Sequence, residues 1–323
     1  MMKLRLGVVL AMLVGSAWSA AVFAQTYPNR PIRLVIPFPP GGNVDTFGRP
    51  LVRLVEAQLG QPVVIDNRGG ANGIVGMEIV AKAPPDGYTL LNTSFAFAIN
   101  PSIYRKLPFD IERDFVPITM VAAGLGYVLT VHASVPANSV KELIALAKKQ
   151  PLRYSSPGVG NGQHLAAALF AVRAGIDLLH IPYKGGGPSL NALLANEVHL
   201  TFTAAAVGAP HFKSGRLRAL GVSGDARLSS LPEVPTIAET GVPGFFYDAG
   251  WHAWFAPART PDAIVNRVQA EIHKALQDPK LREFFAAGGY EPRGDAPAVF
   301  QKIFRADIKR FAEIAQVAKL ERQ

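Results

Sequence analysis

Apolar positions along the chain change spacing again and again. The run IRLVIPF at 32–38 is continuously apolar, breaks into PPGGN, and gives way to helical spacing. Val44, Phe47, Leu51, Leu54, Val55 and Leu59 then share one helical face. Pro50 lies inside that helix and is expected to kink or loosen it. PVVIDN predicts the next strand, IVGMEIVAKA a helix, PPDG a turn and YTLLNTS a third strand. Further on, Ser139 and Glu142 form a capping box ahead of LIALAKK. LRYSS predicts a strand that runs into PGVGNGQH, with LAAALFAVRAG the helix behind it. DLLHIPY, VHLTFT and LRALGVS predict strands, and PSLNALLANE a helix between the first two. Thr260 and Pro261 predict the N-cap and first position of a helix carrying Ile264, Val265, Val268, Ile272 and Leu276. A last amphipathic helix carries Phe300, Ile303, Phe304, Ile308, Phe311 and Ile314.

Strands alternating with helices predict an α/β fold with mostly parallel sheets. Two glycine-rich strand-to-helix loops, about 115 residues apart, predict two such units. Ligands of open α/β sheets sit beyond the carboxyl ends of the strands. Both glycine loops fall at that edge, so the simplest architecture sets the two edges face to face across a cleft.

The bulk numbers fit this picture. A chain of 323 residues, 49% hydrophobic and 18% charged, can bury the cores of two medium lobes. The first 24 residues are expected to be a secretory leader. Lys3 and Arg5 precede the run LGVVLAMLVGSAWSAAVFA, and Val22 and Ala24 of Val22-Phe23-Ala24, at the positions a signal peptidase reads, place cleavage before Gln25. The alternative is an N-terminal membrane anchor, against which the small residues around 16–24 argue. No cysteine follows, so there is no thiol for a lipid and no disulfide. A freely diffusing periplasmic protein is the expectation, since no later stretch approaches the roughly 20 apolar residues of a membrane helix. The formal charge of +9, two units of it in the leader, is scattered rather than clustered with aromatics. That argues against nucleic acid.

Two loops carry the candidate chemistry. In FPPGGNVDTFGR, backbone N–H groups of Gly42, Asn43 and Val44 at a helix start suit a carboxylate, and Asn43 adds an amide donor. The alternative is a tight turn in which Asp45 caps the helix. In SSPGVGNGQH, Ser155, Ser156 and Asn161 are polar while Gly158, Gly160 and Gly162 expose backbone. Neither the P-loop pattern nor the dinucleotide pattern is met there. His164 is a ligand donor, a general base or a packed core histidine. No nucleophile elbow, zinc-protease motif, cysteine nucleophile or metal-ligand spacing occurs. The chain therefore leans toward binding without chemistry.

The blocks YPNRPIRLVIPFPPGGNVD, QPVVIDNRGGANGIVG, APPDGYTLL, INPSIYRKLPFDIERDFVPI, HIPYKGGGPSLNALLANEV, GRLRALGVSGDAR, LPEVPTIAETGVPGF and FAPARTPDAIVNRV occur in order along the mature chain. In that order and spacing the chain resembles the substrate-binding proteins of tripartite tricarboxylate transporters, the Bug family. The resemblance implies a two-lobed periplasmic binding protein of type II-like fold, each lobe a mostly parallel sheet flanked by helices. It puts 26–126 and 250–323 in one lobe and 127–249 in the other, with strands crossing near Gly124–Thr130 and Gly250–Phe255. It implies a small carboxylate as ligand, a large and a small membrane subunit as partners, a monomer, and neither cofactor, metal nor catalytic residue. Carried over, the first loop gives Phe38, Pro40, Gly41, Gly42, Asn43 and Asp45 as ligand-binding, and the second gives Ser156, Gly158, Gly160, Asn161, Gly162 and His164. Ser94 and Phe95, Tyr183, and Thr203 complete the expected site.

Two departures bear on the ligand. The family often has small or hydroxyl residues where Phe95 and Phe97 stand, and often an Asp where Thr203 stands, followed by polar residues in place of Ala204–Ala206. An apolar cleft is expected from this, with an aromatic or medium-chain aliphatic mono- or dicarboxylate preferred over aspartate, glutamate or citrate. The alternative is that Phe95 and Phe97 pack in the core and the ligand is an ordinary C4–C6 dicarboxylate. A periplasmic sensor, or an enzyme on the same scaffold, are the other functional readings.

Overall fold

The computed structural model describes residues 27–317 together with Leu320 and Arg322. The expected leader and its cleavage position lie outside the described residues. The strands are β1 (Ile32–Ile36), β2 (Val63–Asn67), β3 (Thr89–Ser94), β4 (Phe115–Gly124), β5 (Val128–His132), β6 (Leu152–Ser156), β7 (Leu178–Pro182), β8 (Leu200–Thr203), β9 (Leu217–Val222), β10 (Trp251–Pro257) and β11 (Tyr290–Pro292). The helices are α1 (Asn43–Leu59), α2 (Ile74–Ala81), α3 (Ala96–Ile103), α4 (Val140–Ala147), α5 (Gly162–Ala174), α6 (Gly186–Leu194), α7 (Ala205–Lys213), α8 (Ile237–Thr240), α9 (Asp262–Ala275), α10 (Pro279–Ala287) and α11 (Pro297–Val317). No helix among the described residues is long and apolar enough to cross a membrane.

The strands form two sheets, ordered β11-β4-β10-β3-β1-β2 and β7-β6-β8-β5-β9. The pairs β1–β2, β1–β3, β6–β7 and β6–β8 are parallel, as strand–helix alternation requires. The strands at the crossings between the sheets, β4, β5 and β10, pair antiparallel with their neighbours. This mixed pairing follows from the path. The chain leaves the first sheet after β4, completes the second, and returns as β10 between β3 and β4. The two crossings lie side by side: Gly124 N–H donates to Gly250 O at 2.6 Å. There is no room for a side chain beside them, since a Cβ at Gly224 would stand 1.9 Å from Leu125 O.

The buried faces are the ones the apolar spacing marks. Phe47, Leu51 and Val55 of α1 pack with Val265, Val268 and Ile272 of α9 in one core. A second core runs through both sheets, joining Phe97, Phe115 and Phe255 to Leu129, Phe170 and Phe202. Helix α11 contributes Phe300, Phe304 and Phe311 to it and packs on α3 and β4 as well as on α5. One long helix therefore grips both halves of the molecule.

Three local expectations change. α1 runs through Pro50 as a single element. Helix α9 starts at Asp262 with Pro261 at its N-cap, one residue later than expected, because Thr260 Oγ1 donates to Pro257 O at 2.8 Å instead of capping. Ser139 does cap α4, accepting from Glu142 N–H at 3.2 Å, but the Glu142 carboxylate accepts from Asn138 N–H at 2.7 Å. The reciprocal bond of the box is displaced by one residue.

Candidate binding cleft

The carboxyl ends of β1, β3, β6, β7 and β8 open onto one cleft between the sheets, with a cavity volume of about 160 Å³. No Asp, Glu, Lys or Arg is among the described residues that line it. Any charge bound there is met by dipoles and neutral hydrogen bonds.

The loop after β1 forms the first wall. Phe38, Pro40, Gly41, Gly42 and Asn43 all line the cleft, with Val44. Helix α1 begins here with Gly42 at its N-cap and no side chain capping it. Its first N–H groups have no acceptor inside the helix. Gly42 N–H donates to Pro39 O at 3.4 Å, which leaves those of Asn43 and Val44, both cleft-lining residues, with the positive end of a 17-residue helix behind them. Asp45 is not in the wall. It is buried, takes Gly41 N–H at 3.0 Å, and is held by Arg49 at 2.8 Å and Asn67 at 3.1 Å. Burial opposes its charge, but the bonds to Arg49, Gly41 and Asn67 more than offset this and leave its pKa below the usual carboxylate value. Asn67 also donates to Phe38 O at 3.0 Å. Asp45 and Asn67 therefore brace the loop from behind, with Gly41 at φ +79° making its turn.

The loop after β6 behaves differently. Only Pro157, Asn161 and Gln163 from it line the cleft. Ser156, Gly158, Gly160, Gly162 and His164 do not, and their bonds show why. Ser156 Oγ donates to Gly158 O at 3.0 Å, accepts from Gly158 N–H at 3.2 Å, and lies 2.7 Å from His180 Nε2. Gly160 N–H donates to His164 Nδ1 at 3.0 Å, and Asn161 caps α5 by accepting from Gln163 N–H at 3.1 Å. His164 is the packed histidine of the three readings: its ring stacks on His180 at 4.0 Å between centroids and lies 6.3 Å from Tyr154. Burial, with a smaller contribution from His180, lowers its pKa to about 3, and burial lowers that of His180 to about 4. The glycines serve the contact between the halves. A Cβ at Gly160 would stand 2.9 Å from Ile103, and one at Gly162 would stand 1.9 Å from Phe95.

A third loop, KGGGPS after β7, takes the place expected of the second. Gly185, Gly186, Gly187, Pro188, Ser189 and Leu190 line the cleft opposite α1. Helix α6 starts there with Gly185 at its N-cap and no capping side chain. The open donors are Gly186 and Gly187, since Pro188 has no N–H. Nothing lies within 4 Å of a Cβ built on Gly186 or Gly187. Tyr183, on the same loop, points away and bonds Glu197 at 3.3 Å. The sequence signal was present, as a third strand, glycine run and helix in succession.

Ser94, Thr203 and Phe95 line the cleft, with Thr201. Phe95 is nonetheless only 3% exposed, wedged by Gly162 and Gly250 and 5.1 Å from the Phe311 ring. Phe97 is fully buried against Phe115, Phe255 and Phe304 and gives the cleft nothing. Ala204 and Ala205 are core residues outside the wall. The aromatic surface of the cleft comes instead from Phe38 and from Tyr127, His252 and Tyr290, which lie beside the crossings. Sequence reasoning missed these last three. Among the described residues no cluster of three or more His, Cys, Asp or Glu could hold a metal.

A family model described as the tripartite tricarboxylate transporter family receptor matches residues 49–320. The chain belongs to that family. This receptor is 40% identical to a protein of Pseudomonas sp. (strain P51) from the tcbD–tcbE intergenic region, over 95% of this chain and 91% of that one. Its fold is similar to that of Rpa4515 of R. palustris, solved with adipate, at a TM-score of 0.88 and 33% identity, covering 92% of this chain and 100% of the other. The periplasmic binding protein BugD gives a TM-score of 0.87 at 32% identity, over 92% and 100% of the two chains. The receptor is thus a solute-binding protein of two-lobed α/β construction, as the resemblance implied.

Proposed function

We propose that this receptor captures a small carboxylate between its lobes in the periplasm and hands it to the large and small membrane subunits of a tripartite transporter, without chemical turnover. The observation that carries this is the pair of uncapped helix starts, α1 and α6, facing each other across a cleft with no charged side chain among the described residues of its wall. Such a site favours an anion through oriented N–H groups and helix dipoles. A relative of 33% identity was solved with adipate. The lobes are taken as 26–126 with 250–323, and 127–249, after the division of strands between the two sheets. The ligand wall comprises Phe38, Pro40, Gly41, Gly42 and Asn43 from one lobe, Asn161 and Gly185–Gly187 from the other, and Ser94, Phe95 and Thr203 beneath. With Phe97 in the core, a C4–C6 dicarboxylate fits this reading better than an aromatic acid. A thermal-shift panel tests it. Adipate at 100 times its dissociation constant should stabilise by about 2.7 kcal/mol. A panel of aliphatic and aromatic carboxylates that leaves the melting temperature unmoved sinks the proposal.

A further inference from the structure

β10 brings to the cleft a side chain that neither glycine loop explains. His252 lines the wall, is only 4% exposed, and its Nδ1 has no hydrogen-bond partner. The ring is fixed by packing: Tyr290 lies 4.8 Å away and Phe47 5.8 Å away, centroid to centroid. The strand register sets His252 opposite Ser94, itself a cleft residue, and an irregularity between His252 and Ala253 re-aims the strand there. The neighbouring Tyr290 hydroxyl engages the Asn43 side chain of the first loop. Burial lowers the pKa of His252 to about 3 and no charged group contributes, so the ring is a neutral one with one N–H and one lone pair. A buried polar atom without a partner is destabilising and calls for a reason. In this structure Nδ1 has almost no accessible surface, so a ligand reaches it only with a small shift of its neighbours; the ring itself lines the cleft with Tyr290 and Tyr127, next to the crossings.

We propose that His252 is a specificity-determining residue whose ring hydrogen-bonds an oxygen at the far end of a dicarboxylate, the near carboxylate resting on the N–H groups of α1 and α6. This builds on the carboxylate reading above. A solute with a hydrocarbon end would leave the ring nitrogen unpaired. A solute with a second carboxylate satisfies it without a cation, and none stands among the described residues of the wall.

Adipate and hexanoate have the same chain length and differ by one terminal carboxylate, so the ratio of their affinities isolates the floor. Calorimetry on the mature protein should show adipate preferred at least tenfold. His252→Phe keeps the tilted ring contact with Tyr290 and removes both nitrogens. It should weaken adipate at least tenfold and leave hexanoate unchanged, and His252→Asn, which restores an N–H, should recover part of the preference. A purely structural role would weaken both acids alike, so equal losses, or an unchanged adipate affinity in His252→Phe, overturn the proposal. Should both variants unfold, ¹⁵N-histidine spectra of the wild type decide: adipate must move the His252 ring nitrogen signals and hexanoate must not. If the wild type binds no carboxylate at all, it is the carboxylate reading that fails.

Discussion

The two glycine loops that stand out in the sequence are built alike and used differently. Both follow a parallel strand and lead into a helix. In 37–43 a Cβ on Gly41 would meet nothing within 4 Å and one on Gly42 only Pro39 O at 3.5 Å, the N–H groups of Asn43 and Val44 are left open, and the backbone behind is braced by Asp45 and Asn67. In 157–163 Ser156, Asn161 and His164 occupy the donors, and Gly160 and Gly162 are there because Ile103 and Phe95, from beyond β3 of the other sheet, press against them. A glycine-rich helix start is a binding element only when its N–H groups are left without internal acceptors. By that criterion the partner of the first loop is 185–188, whose glycines line the cleft, with nothing near Gly186 or Gly187.

The largest consequence of this difference is in acid. His164 and His180 behind the second loop, and His252 in the floor, are neutral in the folded protein, with pKa values of about 3, 4 and 3. In the unfolded chain each binds a proton below about pH 6.5. Between that pH and the folded values the unfolded state holds more protons, so stability falls as pH falls. The loss should be on the order of 7–10 kcal/mol between pH 6.5 and 4, since each ring forgoes about 1.4 kcal/mol per pH unit and the lower end discounts the partly exposed His180. Asp45 has the opposite origin but the same sign, and its contribution disappears only as pH drops below about 4. Chemical denaturation across pH 7 to 4 checks this. A free energy that stays flat to pH 4.5 would mean that the histidines are not neutral and buried as described.

Substituting the glycines should divide them into two kinds. Gly162→Ala places a methyl where Phe95 already stands, at 1.9 Å, and should cost about 1–3 kcal/mol of stability. Phe95→Leu in the same chain should restore part of it. Gly42→Val and Gly187→Val meet no such obstacle: the nearest atom to a Cβ at Gly42 is Pro39 O at 3.5 Å, and none is within 4 Å at Gly187. Their melting temperatures should hold while adipate affinity drops at least tenfold, about 1.4 kcal/mol. The comparison breaks if Gly162→Ala is stable and fails to bind, or if Gly187→Val binds normally.

How far the sequence carried this distinction depends on where the deciding partner lies. The strand–helix alternation and the position of the loops at the carboxyl edge are local, and both are legible in spacing. The opening of α1 is legible too, because Gly42 offers no side chain to cap it. The role of Gly162 is not, since its neighbour Phe95 is 67 residues away, beyond β3 of the other sheet, and meets it only in the tertiary packing. His252 and Tyr290 carry no local signal either. They reach the cleft because β10 returns to the first sheet between β3 and β4, and β11 pairs beyond β4. Antiparallel strands added after an excursion of more than a hundred residues are the part of this fold that periodicity does not reveal.

The smallest effect should come from the brace itself. Asp45 touches no part of the cleft, so Asp45→Asn tests whether the first loop depends on support from behind. The substitution keeps the size of the side chain and one acceptor oxygen. It removes the charge that strengthens the bonds to Gly41 N–H and Arg49. Hydrogen bonds to charged groups contribute about 1.5–3 kcal/mol, but the Arg49 side chain is 48% exposed, which screens its share. A loss of about 1 kcal/mol remains, which lowers the melting temperature by roughly 2–4 °C in a protein of this size. Because Gly41 is then held less firmly, the N–H groups of Asn43 and Val44 lose some of their alignment, and adipate affinity should fall two- to fivefold rather than tenfold. Calorimetry and a thermal melt on the same preparation separate the outcomes. An unchanged melt with normal affinity would mean that the loop holds its shape without Asp45. A complete loss of binding at an unchanged melting temperature would place the Asp45 carboxylate against the ligand, contrary to its position here.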